Sequence, residues 1–422
     1  MRTLLEASFR AAVAAADPLK ILPAHLPAPP RGRSFVAAAG KAAASMALAV
    51  ERHWPVDAPL EGLALTRYAH GLPTTRIRVV EGGHPVPDEA GERAAREILA
   101  AAGGLGADDL LLVLVSGGGS ALLTLPAEGI SMADMKAVTR DLLRCGAEIR
   151  EMNTVRKHLS AIQGGRLAAA TKARVLALIV SDVTGDDPTH IASGPCAPDP
   201  SSFCDARDIL ARYGIQAPAA IRARLAAGAR GEIEETPKPG AALFARVENQ
   251  VIATAHGSLE AAAAVFRARG IQPAILGDSI TGEAREVAKV MAALAREIRA
   301  HGSPFKAPVA LISGGECTVT VRGERGRGGR CSEFLLALAV ELGGLPGIHA
   351  IAADTDGIDG SEDNAGALLG PDSMARARGR GIDAKKLLAE NDSYGFFSAL
   401  GDLVVSGPTR TNVNDYRAIV VG

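Results

Sequence analysis

The sequence predicts an α/β protein of two domains whose sheets are mostly parallel, and three observations carry that prediction. Residues 110–115, 175–180 and 308–313 are short apolar runs without polar alternation, the pattern of strands buried on both faces of a parallel sheet. Segments of helical periodicity separate such runs in both halves of the chain, as strand–helix alternation requires. The chain has 422 residues and is 47% hydrophobic, while a single core stops growing at roughly 250–300 residues. The polar, proline-bearing stretch 231–240 (GEIEETPKPG) marks the boundary, placing one α/β domain over 1–235 and a second over 236–422.

Composition narrows the partners. Lys plus Arg number 46 against 47 for Asp plus Glu, a net charge of −1, so neither nucleic acid nor an acidic membrane surface is expected. An anionic ligand must then be held by local geometry. The N-terminal stretch carries Glu6 and Arg10 inside its apolar region and reads as an amphipathic helix ending before Pro18, not as an export signal. No apolar run approaches the ~18 residues of a membrane span. Cys145, Cys196, Cys204, Cys317 and Cys331 are odd in number without CxxC spacing, which signals neither a disulfide framework nor zinc. A soluble, cytoplasmic protein is the expectation.

Taken in order, 34–39 reads as a strand and 42–52 as a helix, joined by Gly40-Lys41. A Walker A loop would need glycine at Phe35 and Ser or Thr at Ala42. A lysine at a helix start opposes the dipole, which points to a bound anion or to simple solvation. Short strands follow at 63–66 and 77–81; His84 reads as a turn residue before Pro85, and Asp88 caps a helix over 88–102. The run 110–115 ends in Ser116, Gly117, Gly118, Gly119 and Ser120, and Ala121, Leu122 and Leu123 favour a helix. Glycines between a strand end and a helix start can present amides to a phosphate or carboxylate, or can simply make a tight turn. Helical patterns cover 132–145 and the segment bearing Arg156 and Lys157, a cationic face that is solvated or ligand-binding. After the strand 175–180 come Asp182, Asp186 and Asp187; carboxylates this close repel unless a cation offsets them, and the loop suits a Mg·nucleotide. A helical pattern over 205–230 leads to the boundary.

The second half alternates again: strand 247–253, helix 258–270, strand 272–276, helix 283–301, strand 308–313. The last ends in Gly314, Gly315 and Glu316, so that LISGG echoes LVSGG of the first half. Residues 317–321 alternate as a strand and lead to an Arg/Gly loop containing Arg325, Arg327 and Arg330, able to grip phosphate bidentately. Without interleaved aromatics in a neutral chain, RNA binding is disfavoured. A helix over 332–342 and a buried strand over 349–353 precede Asp354, Asp356 and Asp359; an EF-hand is excluded because position twelve is Ala365. A strand at 403–406 precedes Thr411 and Asn412, which cap or bind.

Two glycine loops, two aspartate loops, an Arg/Gly loop and Lys41 together describe a cleft for an anionic, metal-associated ligand, as phosphoryl transfer requires. No GxGxxG follows a strand, which weakens a nicotinamide reading. The ordered motifs VSGGGSALL, NTVRKHLSAIQGGRLA, SDVTGDDPTHIASGP, SGGECTVTVRG with GRGGR, DTDGIDG and GPTRTNVNDY resemble the glycerate 2-kinase family, whose C-terminal part is called the MOFRL domain. The resemblance spans essentially the whole chain. It implies two Rossmann-like α/β domains flanking a central cleft, and ATP- and Mg²⁺-dependent phosphorylation of D-glycerate at its C2 hydroxyl. Its partners would be small molecules, with a homodimer among the expectations.

Relatives named hydroxypyruvate reductases make an NAD(P)H-dependent reductase the alternative, beside a non-catalytic metabolite-binding relative. By correspondence, Lys41 and residues 116–120 hold anionic groups, Arg325 to Arg330 match the family's arginine loop, and Arg327 is the transition-state cation. Asp182, Asp187 or Asp356 position the metal and Lys157 takes the glycerate carboxylate. Gly314, Gly315, Glu316, Thr411 and Asn412 fall in motifs expected to face substrate or nucleotide. Two departures stand out: Cys331-Ser332 where the family commonly has Asn-Gln, and Arg410 where it often has glycine.

Overall fold

The computed structural model describes residues 1–323 and 326–422. These form two compact units, Pro18–Ile252 and a second made of Met1–Asp17 with Ala253–Gly422. The division differs from the expected 235/236 boundary at both ends, for two reasons. After the polar stretch the chain returns to add one more strand beside the first sheet. The N-terminal helix Arg2–Ala15 buries Leu5, Phe9 and Ala12 with Leu259, Ala262 and Phe266 in one core, and so belongs to the unit Ala253–Gly422. Composition marks polar stretches but carries no record of such long-range pairing.

In the unit Pro18–Ile252, strands β1 (Ser34–Ala39), β2 (Leu60–Arg67), β3 (Ile77–Gly82), β4 (Leu110–Val115), β5 (Arg174–Val180) and β6 (Val247–Ala253) form one sheet in the order β3-β2-β1-β4-β5-β6. The pairings β1–β2, β1–β4, β2–β3 and β4–β5 are parallel. Every residue of β1 and β4 is buried, the reason both runs lack polar alternation. Asp88 caps the helix Glu89–Gly103 by accepting the Gly91 N–H. The helical pattern over 205–230 resolves into two helices, Phe203–Arg212 and Ala219–Ala229, interrupted by the left-handed Gly214 and by Pro218. Strand order reverses between β1 and β4, so the connections leaving their carboxyl ends diverge and open a crevice, the place where such sheets take ligands.

The second unit departs from the parallel expectation. Its sheet joins β7 (Gln272–Gly277), β9 (Val309–Ser313), β11 (Ile348–Asp354), β12 (Gly366–Leu369), β13 (Leu403–Val404) and β14 (Asp415–Val421) in the order β13-β12-β11-β14-β9-β7. Within this sheet only β7–β9 is parallel among the described pairings; β9–β14, β14–β11, β11–β12 and β12–β13 are antiparallel. Crossover helices Ala284–His301 and Arg330–Leu342 keep β7, β9 and β11 running one way. The last strand then enters between β9 and β11 from the opposite end, Asp415 pairing with Asp354. Of the strand expected at 317–321 only Cys317–Thr318 (β10) forms, paired in parallel with Gly282–Glu283 (β8).

Candidate active site

The crevice of the first sheet is built where β1 and β4 end. The Lys41 backbone N–H donates to the Gly117 carbonyl at 2.8 Å and the Ala42 N–H to Ser116 Oγ at 3.0 Å, locking the two loops together. Gly118 is left-handed at φ 81°, and a Cβ there would lie 2.9 Å from His84 Nε2 and 3.4 Å from Lys41 Cγ. Glycine is therefore needed both for its backbone conformation and for the approach of two basic side chains. The helix after the loop is a single turn, Gly119–Leu122. With the Gly119 N–H already given to Ser116, the dipole and amides contribute less than the sequence suggested, and attraction for an anion rests on the Lys41 and His84 side chains. His84 reads from sequence as a turn residue; its only signal was its place in the connection between β3 and the capped helix.

Beside the loop, Ser120 Oγ and Ser193 Oγ lie 2.9 Å apart, Ser193 Oγ donates to Asn153 Oδ1 at 3.2 Å, and Arg156 Nη1 donates to the same oxygen at 3.2 Å. Lys157, the next residue, is 1% exposed, and its Nζ is 3.3 Å from Asp199 Oδ1. An ammonium so buried and paired leaves the carboxylate-binding role read for Lys157 without support in the geometry. Burial pushes the Asp199 carboxyl up, but the Lys157 charge and the Ser201 donors outweigh it and hold the group below its usual range. Its stability contribution is present above the unfolded value of about 4 and is lost as pH falls through the lower folded value. Replacing Asp199 by Asn should cost about 3–5 kcal/mol in urea denaturation by stranding the ammonium, and adding Lys157→Met should recover part of that loss.

After β5, Asp182 and Asp187 are half-buried. Burial raises the Asp187 carboxyl, yet the Thr189 N–H at 2.9 Å, the Thr189 hydroxyl and the charges of His190 and Lys157 hold it low. Two partly exposed carboxylates are a hard-oxygen donor set that suits magnesium, which takes one or two and completes its shell with phosphate and water.

In the second unit the charged residues bind one another. Arg330 contacts Glu316 through Nη1 at 2.9 Å, Asp354 through Nη2 at 2.8 Å and Asp415 through Nε at 2.8 Å. Arg417 bonds the carbonyls of Gly314 and Gly315 at 3.2 and 3.1 Å, and β10 rather than a helix follows them. This second glycine loop turns its carbonyls to a cation, so it does not repeat the first. Asp356 is buried, its Oδ1 accepting the Ile358 N–H at 2.9 Å. Asp359 accepts from the N–H groups of Cys331 and Ser332 and from Ser332 Oγ at 2.9, 2.8 and 2.6 Å. Positions 331 and 332 thus form the buried base of a helix start. Burial nevertheless pushes the Asp359 carboxyl up to about 6. Arg327, 49% exposed, stacks on the Tyr394 ring at 4.7 Å with Glu362 and Asp392 each 4.0 Å away. Thr411 Oγ1 donates to the Ala16 carbonyl at 2.7 Å and closes the N-terminal helix, while Asn412 is buried next to it. Arg325 lies outside the described residues.

The sheet order 3-2-1-4-5-6, with Lys41, His84 and a glycine loop at its switch point, places the first unit in the class of doubly wound α/β folds with a candidate anion site where such folds take ligands. Comparison narrows the class. A family model described as "Domain of unknown function (DUF4147)" matches residues 4–226, and the MOFRL family model matches 309–415. A protein of Agrobacterium vitis provisionally named hydroxypyruvate reductase is 53% identical over 100% of this chain and 94% of its own length. Glycerate 2-kinase of Pyrococcus horikoshii is 41% identical over 93% of this chain and 88% of its own. The crystal structure of glycerate kinase from Thermotoga maritima matches with a TM-score of 0.87 at 35% identity, covering 100% of this chain and 99% of that one. The chain belongs to the glycerate 2-kinase family with a C-terminal MOFRL domain.

Proposed function

We propose that this chain is a glycerate 2-kinase that transfers the γ-phosphoryl group of ATP to the C2 hydroxyl of D-glycerate, giving 2-phosphoglycerate and ADP. The observation that carries this reading is the pair Lys41 and His84 against Gly118 at the β1/β4 switch point. Two basic groups at a narrow glycine loop suit an anionic substrate and the charge that develops during phosphoryl transfer. Residues 116–120 shape the approach, and Lys41 supplies charge. Mg²⁺ held by Asp182 and Asp187 would offset charge on the phosphoryl oxygens. For the transition-state cation we keep Arg327, on its match to the family's arginine loop; its half-exposed guanidinium lies 4.7 Å from the centre of the Tyr394 ring. Arg330 instead organises Glu316, Asp354 and Asp415. A loose transition state asks little of a general base, and none is assigned.

The reductase reading is favoured by the names of two Agrobacterium vitis relatives, 53% and 50% identical to this chain. Against it, Gly40 is the lone glycine between β1 and the helix Ala43–His53, where a dinucleotide site needs GxGxxG. No helix among the described residues is long and apolar enough to cross a membrane, and we place the reaction in the cytoplasm. Two assays on one preparation separate the readings. ADP formation that requires D-glycerate and Mg²⁺ supports the kinase. Oxidation of NADH or NADPH by hydroxypyruvate, without ADP formation in the first assay, would replace it with the reductase.

A further inference from the structure

We propose that Arg156, rather than the Asp199-paired Lys157 beside it, is the side chain that binds the substrate carboxylate. The inference rests on the kinase reading and adds the residue that makes the acceptor an acid. Arg156 sits on the helix Ile149–Leu159 and is half-buried. Its one protein hydrogen bond among the described residues is the 3.2 Å contact with the neutral Asn153 Oδ1, and no carboxylate pairs with it. Other half-buried guanidinium groups without a carboxylate among the described residues, those of Arg166, Arg224 and Arg246, donate to backbone carbonyls, while four further cations are paired with carboxylates. Lys157 has Asp199, Arg285 has Glu333, Arg330 has three carboxylates and Arg417 has Asp415. Burial lowers the Arg156 guanidinium from its ordinary value, and no neighbouring charge offsets that. Removing a cation from water without a counter-charge is costly, and an anionic ligand is the group that would offset it.

The surroundings say which anion. Arg156, Lys136, Ser120, Thr124 and Gln163 line one small cavity of the first unit. Gln163 Nε2 donates to the Ser120 carbonyl at 2.9 Å and fixes the end of the glycine loop. The chain Arg156–Asn153–Ser193–Ser120 ties the guanidinium to that same end. Two residues earlier, the His84 and Lys41 side chains approach the backbone of Gly118. A planar guanidinium grips a carboxylate through two parallel N–H bonds, which an ammonium cannot do. A carboxylate seated on Arg156 would lie at the side of the cavity lined by Ser120, the end of the same loop whose Gly118 faces His84 and Lys41. A polyol or aldehyde of the same length would leave the guanidinium unpaired.

The test is steady-state kinetics on full-length Arg156→Gln and Arg156→Lys, with calorimetric titration of D-glycerate in the absence of ATP and thermal unfolding of each variant. For Arg156→Gln the KM for D-glycerate and the calorimetric Kd should rise about ten- to a hundredfold, with the KM for ATP within about twofold. Arg156→Lys, which keeps the charge but loses the fork, should fall between it and the wild type. If the Gln variant does not fold, the Lys variant carries the test, because removal of the fork alone should raise the glycerate KM and leave that for ATP in place. An unchanged glycerate Kd, or equal rises in both KM values, would overturn the proposal. Should the wild type bind D-glycerate through Arg156 yet form no ADP, the kinase reading fails and the carboxylate site stands.

Discussion

Replacing Lys41 by alanine should lower kcat/KM for D-glycerate at least tenfold, a loss of about 1.4 kcal/mol of transition-state stabilisation. The physical case is the position of the side chain. It leaves the end of β1 beside Gly118, at the one place in the first sheet where strand order reverses. The contact that joins the two loops is made by the Lys41 backbone N–H to Gly117, so truncation of the side chain leaves that join in place. The thermal midpoint should accordingly move by no more than a few degrees, the equivalent of less than about 1 kcal/mol. Wild-type kinetics in a folded Lys41→Ala protein would remove this residue from the site.

Arg330→Met should unfold the protein more readily by about 3–5 kcal/mol, read from urea or thermal denaturation. Arg330 is 24% exposed on its side chain, and two of its three partners, Asp354 and Asp415, are 4% and 0% exposed on theirs. Burial lowers the tendency of this guanidinium to stay charged, but the three carboxylates outweigh it and raise its pKa well above the usual value. Without it Asp354 loses a charged partner, and among the described residues Asp415 keeps Arg417 at 2.9 Å. Arg330→Lys should recover a part, because one ammonium cannot span three carboxylates. A Met variant of unchanged stability that no longer turns over would mean that Arg330 serves the ligand instead.

Local physics explains what could be read from the residues and what could not. The runs at 110–115 and 175–180 became inner strands because residues buried on both faces leave no room for polar alternation. The amphipathic N-terminal helix was legible as a helix, yet its unit was not, since Leu5 and Phe9 find their partners some 250 residues away. The mixed second sheet depends on β14 entering antiparallel between β9 and β11, a choice made by tertiary packing. In the site, Lys41 and the glycine loop were legible because glycine and lysine break local rules at that point. Arg156 and Lys157 look alike in sequence and differ only in what faces them. Asp199, forty-two residues on, neutralises one and leaves the other to its ligand. In the aspartate loop of 354–359, Asp354 accepts from Arg330 and the Asp356 N–H, Asp359 from the start of the helix Arg330–Leu342, and Asp356 Oδ1 from the Ile358 N–H, partners that sequence spacing does not reveal.

The most direct test of the account is ATP- and Mg²⁺-dependent turnover of D-glycerate coupled to enolase, with phosphoglycerate mutase left out. Enolase accepts 2-phosphoglycerate and not the 3-isomer, so phosphorylation at C2 predicts an immediate signal without mutase. Silence that the addition of mutase relieves would show transfer to C3 and contradict the assigned regiochemistry. Silence in both, from a folded protein, would contradict the kinase itself.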